Sequence, residues 1–320
     1  MASLEDVRRA QANIHDIVHK TPVLTSSLLD EYCGNQVFLK AEHLQKTGSF
    51  KIRGAANAVK NAVREGAASV TAASSGNHGQ AVAYIANRLG IPATIVVPED
   101  ANRAKVAAIE AYNGHVVYCG MTSAERIPKA RQLADENNGI YIPPYDHADI
   151  IAGQGTIGLE LLEQIPELDL VFVPVGGGGL ISGILTAIKA LNPQVKVIGV
   201  EPESANDTYL SLQRGEITAI PPSATIADGL RTAQPGDMTF PILQKHLDGL
   251  LLVTEAEIKE ALQFLMERTK QIVEPSSAVA AAPLISGKAE VKGKRVAVVL
   301  SGGNVDLHQL AGFLPDKLHV

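Results

Sequence analysis

Four short stretches of this chain carry residue types suited to covalent or phosphate chemistry. The first is Gly48-Ser49-Phe50-Lys51-Ile52-Arg53-Gly54. Most lysines are solvated surface charges, but Lys51 opens a helical segment, beside Phe50 and Ile52 and between two glycines. An amine taken out of water loses basicity and becomes a nucleophile. The second stretch is Val175-Gly176-Gly177-Gly178-Gly179-Leu180. Its consecutive glycines lie between an apolar strand and a helix, so the backbone can turn several N–H groups toward one point. The helix N-terminus adds positive potential, and together these suit a phosphate. A merely flexible turn is the competing reading. No Lys-Ser/Thr follows the glycines, so the P-loop pattern fails. A dinucleotide fingerprint fails at its last glycine, where Ile181 or Ser182 stands. Glu201 closes the next strand and keeps a nicotinamide reading open, but one small phosphate fits better.

The third stretch is Ser74-Ser75-Gly76-Asn77-His78-Gly79 and the fourth is Leu300-Ser301-Gly302-Gly303-Asn304. Short hydroxyl and amide side chains at such turns can face a ligand carboxylate or a ring heteroatom. An ordinary N-cap explains the third equally well, and His78 by itself reads as helix-start packing. All four stretches lie at junctions of an alternating pattern. Strands are expected at 37–40, 69–72, 93–97, 115–118, 170–175, 195–200 and 295–300. Helices are expected at 51–63, 79–88, 101–111, 123–137, 181–191, 255–268 and 276–284. Continuous apolar strands such as VFVPV and RVAVVLS are buried on both faces, as in parallel sheets covered by helices. Ligands of open α/β sheets bind at the turns that follow such strands.

The bulk composition narrows the ligand. With 320 residues, 46% of them hydrophobic, the chain can fill a large core or two lobes. A net charge of -6 without a Lys/Arg cluster, and only 4% aromatic residues without tryptophan, argue against a nucleic-acid partner. The substrate is therefore expected to be small. The two cysteines, Cys33 and Cys119, have no paired spacing, so neither a zinc site nor a disulfide framework is expected. The amphipathic N-terminal stretch lacks the apolar run of a signal peptide, and no stretch reaches membrane-spanning length, so a cytoplasmic location is expected.

Taken together and in this order, Ser49-Phe50-Lys51-x-Arg53-Gly54, the Ser-Ser-Gly-Asn-His-Gly turn, the tetraglycine and Ser301-Gly302-Gly303-Asn304 resemble the serine racemase and serine/threonine dehydratase family. The resemblance runs from about Val7 to Asp306. It implies a fold-type II pyridoxal-phosphate enzyme, related to the tryptophan synthase β chain, with two open parallel-type sheets covered by helices. Residues 1–68 and 147–320 would form the large cofactor-binding domain, and residues 69–146 a small, mobile substrate domain. By the resemblance, Lys51 forms the Schiff base and acts as a base on one face of the substrate Cα. Gly176, Gly177, Gly178 and Gly179 hold the phosphate. Asn77 bonds the ring 3′-oxygen and Ser301 the pyridine nitrogen. Ser75, Gly76, Asn77 and His78 receive the substrate carboxylate, and Arg126 approaches the substrate. A conjugated ring delocalises the electron pair left at Cα. A serine at the ring nitrogen does not enforce a pyridinium, so elimination of a β-hydroxyl is a natural exit.

Racemisation needs a second group on the other face of Cα, and Ser75 stands where racemases of this family have serine; many threonine deaminases have alanine there. Tyr145 and Thr232 stand where those racemases have Asn and Ser, which suits a dehydratase. The expected activity is dehydration and deamination of L-serine and L-threonine, with serine racemisation through Lys51 and Ser75. A chain that is primarily a serine racemase, or a hydroxyaspartate dehydratase or racemase, is the alternative. A cysteine-synthase type of β-replacement and a non-catalytic phosphate-binding regulator rank lower. The resemblance also implies a divalent-metal site at Glu201, the Ala205 carbonyl and Asp207; oxygen ligands suit Mg²⁺, Ca²⁺ or Mn²⁺. It implies a nucleotide site for ATP as an activator, matched at Ser26, Ser27, Lys46, Thr47, Gln80, Tyr112, Lys270 and Asn304, with Arg8 departing from it. That site lies between subunits in the family, so a homodimer is expected. No separate regulatory domain is expected.

Overall fold

The computed structural model describes residues 2–101 and 103–314. Its ten strands are β1 Val23–Thr25, β2 Gln36–Ala41, β3 Ser69–Ala73, β4 Ala93–Val97, β5 His115–Tyr118, β6 Gly139–Tyr141, β7 Leu170–Pro174, β8 Lys196–Pro202, β9 Gly249–Val253 and β10 Arg295–Leu300. They form a six-stranded sheet, order β1-β2-β10-β7-β8-β9, and a four-stranded sheet, order β5-β4-β3-β6. Every pairing is parallel except β1 with β2, where Val23 opposes Lys40. The strands read from the apolar runs lie within a residue or two of their expected bounds. The short edge strands β1 and β6 carried no comparable signal and were not expected, and β9 was not expected despite its Leu-Leu-Leu-Val run.

Alternation along each strand of the large sheet serves two cores. Leu170, Phe172, Val296 and Val298 pack on one face with the Glu255–Thr269 helix, while Val171, Val173, Ala297 and Val299 pack on the other with the helices Ala148–Gln164 and Gly179–Leu191. A third core joins Val70, Ala72, Ile95 and Val97 of the small sheet to the helices Lys51–Arg64 and Asn77–Leu89. The Ala148–Gln164 helix was missed from sequence because Gly153, Gly155 and Gly158 weaken its local preference. Those glycines allow close packing. A Cβ at Gly155 would meet the Gly183 carbonyl oxygen at 2.9 Å, and one at Gly153 the Arg53 carbonyl oxygen at 2.6 Å. The helix expected at 276–284 is two short helices, Pro275–Ala278 and Ala282–Ile285. Pro283 lacks the N–H that a continuous helix needs there.

Candidate active site

Three of the four chemical stretches follow the C-terminal ends of parallel strands, β3, β7 and β10, and the fourth is joined to them by hydrogen bonds. The Phe50 N–H donates to the Ser301 carbonyl at 3.0 Å, and Ser49 bridges to Gly302. The Lys51 stretch and the Ser301 turn are thus one piece of structure. Lys51 is the first residue of its helix. Its Nζ donates to the Pro144 carbonyl at 2.8 Å and stands 5.2 Å from the Phe50 ring centroid. Burial pushes the amine down to about 8, with Glu274 pulling the other way. The neighbouring Ser49 Oγ is buried and has no protein partner.

Beneath Lys51 lies a buried charge cluster that spacing alone did not reveal. Arg53 is fully buried and bonds both carboxylate oxygens of Glu42, at 2.8 Å each, and both of Glu160, at 2.7 and 2.9 Å. Lys40 donates to Glu160 at 2.6 Å. Burial disfavours the Arg53 charge, but the two carboxylates outweigh it and hold the guanidinium protonated. This cluster ties β2 and the Ala148–Gln164 helix to the helix that carries Lys51. The Ser49–Gly54 motif includes Arg53 but does not name its partners, which lie 11 and 107 residues away.

The tetraglycine turn is closely packed. Gly178 has φ +89° and caps the Gly179–Leu191 helix, a left-handed conformation that favours glycine. A Cβ at Gly177 would lie 2.4 Å from the Tyr145 ring, and one at Gly178 would lie 2.8 Å from Thr239 Oγ1. Thr239 Oγ1 donates to the Gly177 carbonyl at 2.8 Å and accepts from the Gly236 N–H at 2.9 Å. Burial raises the Tyr145 hydroxyl to about 12. Thr239 was not singled out from sequence, where no helix was expected at 239–246.

Asn77 starts its helix and donates its amide to Glu274, at 2.9 and 3.1 Å. Asn304 donates to Asn77 Oδ1 at 2.8 Å and to the Thr47 carbonyl at 2.7 Å. Glu274 is buried, and burial lifts its carboxyl to about 7, with Asp228 adding to the rise. Glu274 was missed in the sequence; a glutamate just before Pro275 in an apolar segment was its only signal. Ser75 and Gly76 are partly exposed, and a Cβ at Gly76 would meet nothing within 4 Å, so this turn borders open space. His78 is buried, and its Nε2 pairs with the Ile142 carbonyl at 2.8 Å. Burial and the Lys51 charge push the imidazole down to about 3, so it is neutral. Arg126 lies near the start of the Ser123–Glu136 helix, with its Nε and Nη1 buried and unpartnered.

Glu201 and Asp207 come together as two fully buried carboxylates. Burial and mutual repulsion raise Glu201 to about 8, and burial raises Asp207 to about 7. Glu201 accepts from the Thr208 and Tyr209 N–H groups at 3.1 and 2.9 Å. Ala205, fully buried, lies between them in sequence. A buried acid pair of this kind fits a hard divalent cation. Thr232 Oγ1 contacts Asp207 at 3.4 Å, and the same loop's Leu230 Cα would lie 3.2 Å from a Cβ at Gly176. The pair is thereby linked to the glycine turn, a connection invisible in sequence.

Of the residues matched to the nucleotide site, the structure joins Thr47 and Asn304 through one hydrogen bond. Gln80 is buried one turn into the Asn77–Leu89 helix, and Tyr112 packs edge-on against Tyr84, 5.3 Å between ring centroids. Ser26 caps the Ser27–Cys33 helix, Lys46 follows the capping Gln45, and Lys270 ends the Glu255–Thr269 helix in a left-handed conformation. Among the described residues no hydrogen bond ties Ser26, Ser27 or Lys270 to Thr47 and Asn304.

A depressed amine, a tightly packed glycine turn and a buried hydroxyl without a partner are groups whose chemistry suits a small phosphorylated aldehyde. A family model described as pyridoxal-phosphate dependent enzyme matches residues 14–302. The chain belongs to the pyridoxal-phosphate dependent enzymes. It is 45% identical to an L-threo-3-hydroxyaspartate ammonia-lyase of Saccharomyces cerevisiae, covering 98% of this chain and 96% of that one. It is 43% identical to an L-threonine ammonia-lyase of Thermotoga maritima, covering 97% of this chain and 77% of the other. The solved structure of maize serine racemase superposes with a TM-score of 0.93 at 38% identity, covering 97% of this chain and 96% of that one. The fold is that of these fold-type II enzymes. No helix among the described residues is long and apolar enough to cross a membrane.

Proposed function

We propose that this pyridoxal-phosphate enzyme dehydrates and deaminates L-serine and L-threonine to 2-oxo acids and ammonia, and racemises serine as a second outcome. The observation that carries the reading is the buried Lys51 amine, pushed down to about 8 and hydrogen-bonded to Pro144, whose neighbour Tyr145 packs on the tetraglycine turn. Pyridoxal phosphate, when bound, supplies an electron sink for the pair left at Cα. Gly176, Gly177, Gly178 and Gly179 grip its phosphate at the N-terminus of the Gly179–Leu191 helix. Asn77, held between Glu274 and Asn304, presents its amide to the ring oxygen, and Ser301 faces the ring nitrogen. Ser75, Gly76, Asn77 and His78 receive the substrate carboxylate, with Gly76 at the open side of the turn. Lys51 moves the proton on one face of Cα and Ser75 on the other.

In this reading residues 69–146 move as a small unit against 1–68 and 147–320, bringing Ser75 and Arg126 over the substrate. Glu201, Asp207 and the Ala205 carbonyl hold Mg²⁺, or Ca²⁺ or Mn²⁺. ATP acts as an activator at the site that includes Thr47 and Asn304, between subunits of a cytoplasmic homodimer. A second reading is favoured by Arg126. Its two unpartnered guanidinium nitrogens suit the distal carboxylate of 3-hydroxyaspartate, the substrate named for the yeast relative.

One experiment tests both. The protein is incubated with L-serine, L-threonine or L-threo-3-hydroxyaspartate, with and without Mg²⁺ and ATP, and 2-oxo acid and D-amino acid are measured together. Pyruvate exceeding D-serine is the expected result. D-serine forming much faster than pyruvate would make the chain primarily a racemase. Turnover confined to hydroxyaspartate would establish the second reading, and no turnover of any of the three would overturn both.

A further inference from the structure

The segment 142–147 leaves the small sheet after β6 and enters the large sheet's helical layer at the Ala148–Gln164 helix. It touches the two halves of the candidate cofactor site in turn. The Pro144 carbonyl accepts from Lys51 Nζ at 2.8 Å. Tyr145 packs on the tetraglycine turn, so that a Cβ at Gly177 would meet its ring at 2.4 Å and one at Gly179 its own Cβ at 2.8 Å. Asp146 then leaves the site and grips the N-terminus of the Thr239–His246 helix. Its Oδ1 accepts from the Met238 N–H at 2.8 Å and its Oδ2 from the Asp237 N–H at 3.1 Å.

That helix has no other side-chain cap, and a carboxylate is the group its terminus favours. The approach is close enough to require glycine at 236, since a Cβ there would lie 2.2 Å from Asp146 Oδ1. The helix that Asp146 grips begins with Thr239, whose hydroxyl holds the Gly177 carbonyl at 2.8 Å. A closed circuit results. Asp146 fixes the helix, the helix fixes the glycine turn through Thr239, and the two residues just before Asp146 place Tyr145 on that turn and Pro144 on the amine.

We propose that Asp146 is a positioning residue that sets the spacing between the Lys51 amine and the phosphate-binding turn, so that one small molecule reaches both at once. The inference rests on the reading of Lys51 and the tetraglycine given above. It concerns a side chain that touches neither the reacting atoms nor the phosphate. Its signature is coupling. In the intact circuit a phosphate held at the turn delivers its aldehyde to the amine, so pyridoxal phosphate is captured faster than pyridoxal, which lacks the phosphate. When the circuit is cut, turn and amine remain but their spacing is no longer enforced.

The test uses full-length apoprotein and the two aldehydes. Capture is followed by absorbance, and the site is identified by borohydride reduction and peptide mapping. In Asp146→Ala the ratio of the pyridoxal phosphate rate to the pyridoxal rate should fall about tenfold or more, as expected for loss of two charge-assisted hydrogen bonds. Asp146→Asn keeps one acceptor and should fall between Ala and wild type; it carries the test if the alanine variant does not fold. Thr254→Ala removes a comparable cap from the Glu255–Thr269 helix, away from the site, and should leave the ratio at the wild-type value. An unchanged ratio in the Asp146 variants, or an equal fall in Thr254→Ala, overturns the inference while leaving the function intact. Wild-type labelling at a lysine other than Lys51 overturns the function itself, whatever the Asp146 variants do.

Discussion

Changing Glu274 to glutamine isolates the electrostatics of the Lys51 amine. Burial lowers that amine from 10.5 to about 8, and the Glu274 carboxylate opposes the fall. At pH 7.5 an amine titrating near 8 is about one quarter free base, against about one in a thousand for an ordinary lysine, a gain of roughly two hundredfold in nucleophile. Covalent capture of pyridoxal phosphate by the apoprotein, followed by stopped-flow absorbance, should therefore accelerate with pH up to about 8 and then level off. Glu274 itself titrates near 7, so it is largely ionised where Lys51 loses its proton. Its anion then favours the protonated amine. Glu274→Gln removes that anion and should move the bend to lower pH; a shift of one unit would correspond to about 1.4 kcal/mol. A wild-type rate that climbs about tenfold per pH unit beyond pH 9 without bending would show a solvated amine and refute the argument. A bend moved upward in the variant would show that Glu274 does not act on Lys51 through its charge.

Ser75→Ala should cut D-serine formation by about 10²–10⁴-fold, the usual worth of a positioned acid or base, while pyruvate formation persists; equal loss of both in a coupled assay would make Ser75 only a binding group. Gly177→Ala drives a methyl into the Tyr145 ring and should weaken cofactor affinity by about 1–3 kcal/mol, read by equilibrium dialysis; unchanged affinity would mean that the turn yields freely. Arg53→Met leaves buried Glu42 without its ion partner and Glu160 with Lys40 alone and should destabilise the fold by about 3–5 kcal/mol in urea titration, with a loss under about 1 kcal/mol refuting the cluster's role. Glu201 and Asp207 titrate near 8 and 7 when folded, above their ordinary values. The folded chain thus holds more protons than the unfolded one between about pH 4 and 8, and without cation its stability should fall across that window as pH rises. Mg²⁺ should raise the melting temperature more at pH 8 than at pH 6, and no pH dependence of that gain would count against the pair as ligands.

Much of the fold was legible because apolar runs such as Val171–Val173 and Val296–Val299 must be buried on both faces, and only covered parallel strands provide that. The candidate site was legible where chemistry demands a rare local pattern. Four successive glycines, a lysine between glycines and two hydroxyl-rich turns announce themselves within a few residues. The Ala148–Gln164 helix was not legible, since its glycines lower helical preference while serving contacts with the Lys51–Arg64 and Gly179–Leu191 helices.

The linear sequence by itself determined the class of fold and singled out the lysine and the glycine turn proposed as nucleophile and phosphate cradle, because each depends on neighbours along the chain. Only the tertiary structure decided that Arg53 meets Glu42 and Glu160, that Asn77 rests on Glu274, and that Asp146 joins the amine's support to the glycine turn. These are partnerships between residues tens to hundreds of positions apart. A buried charge is stable only beside a partner, and which partner arrives is set by how helices and sheets pack.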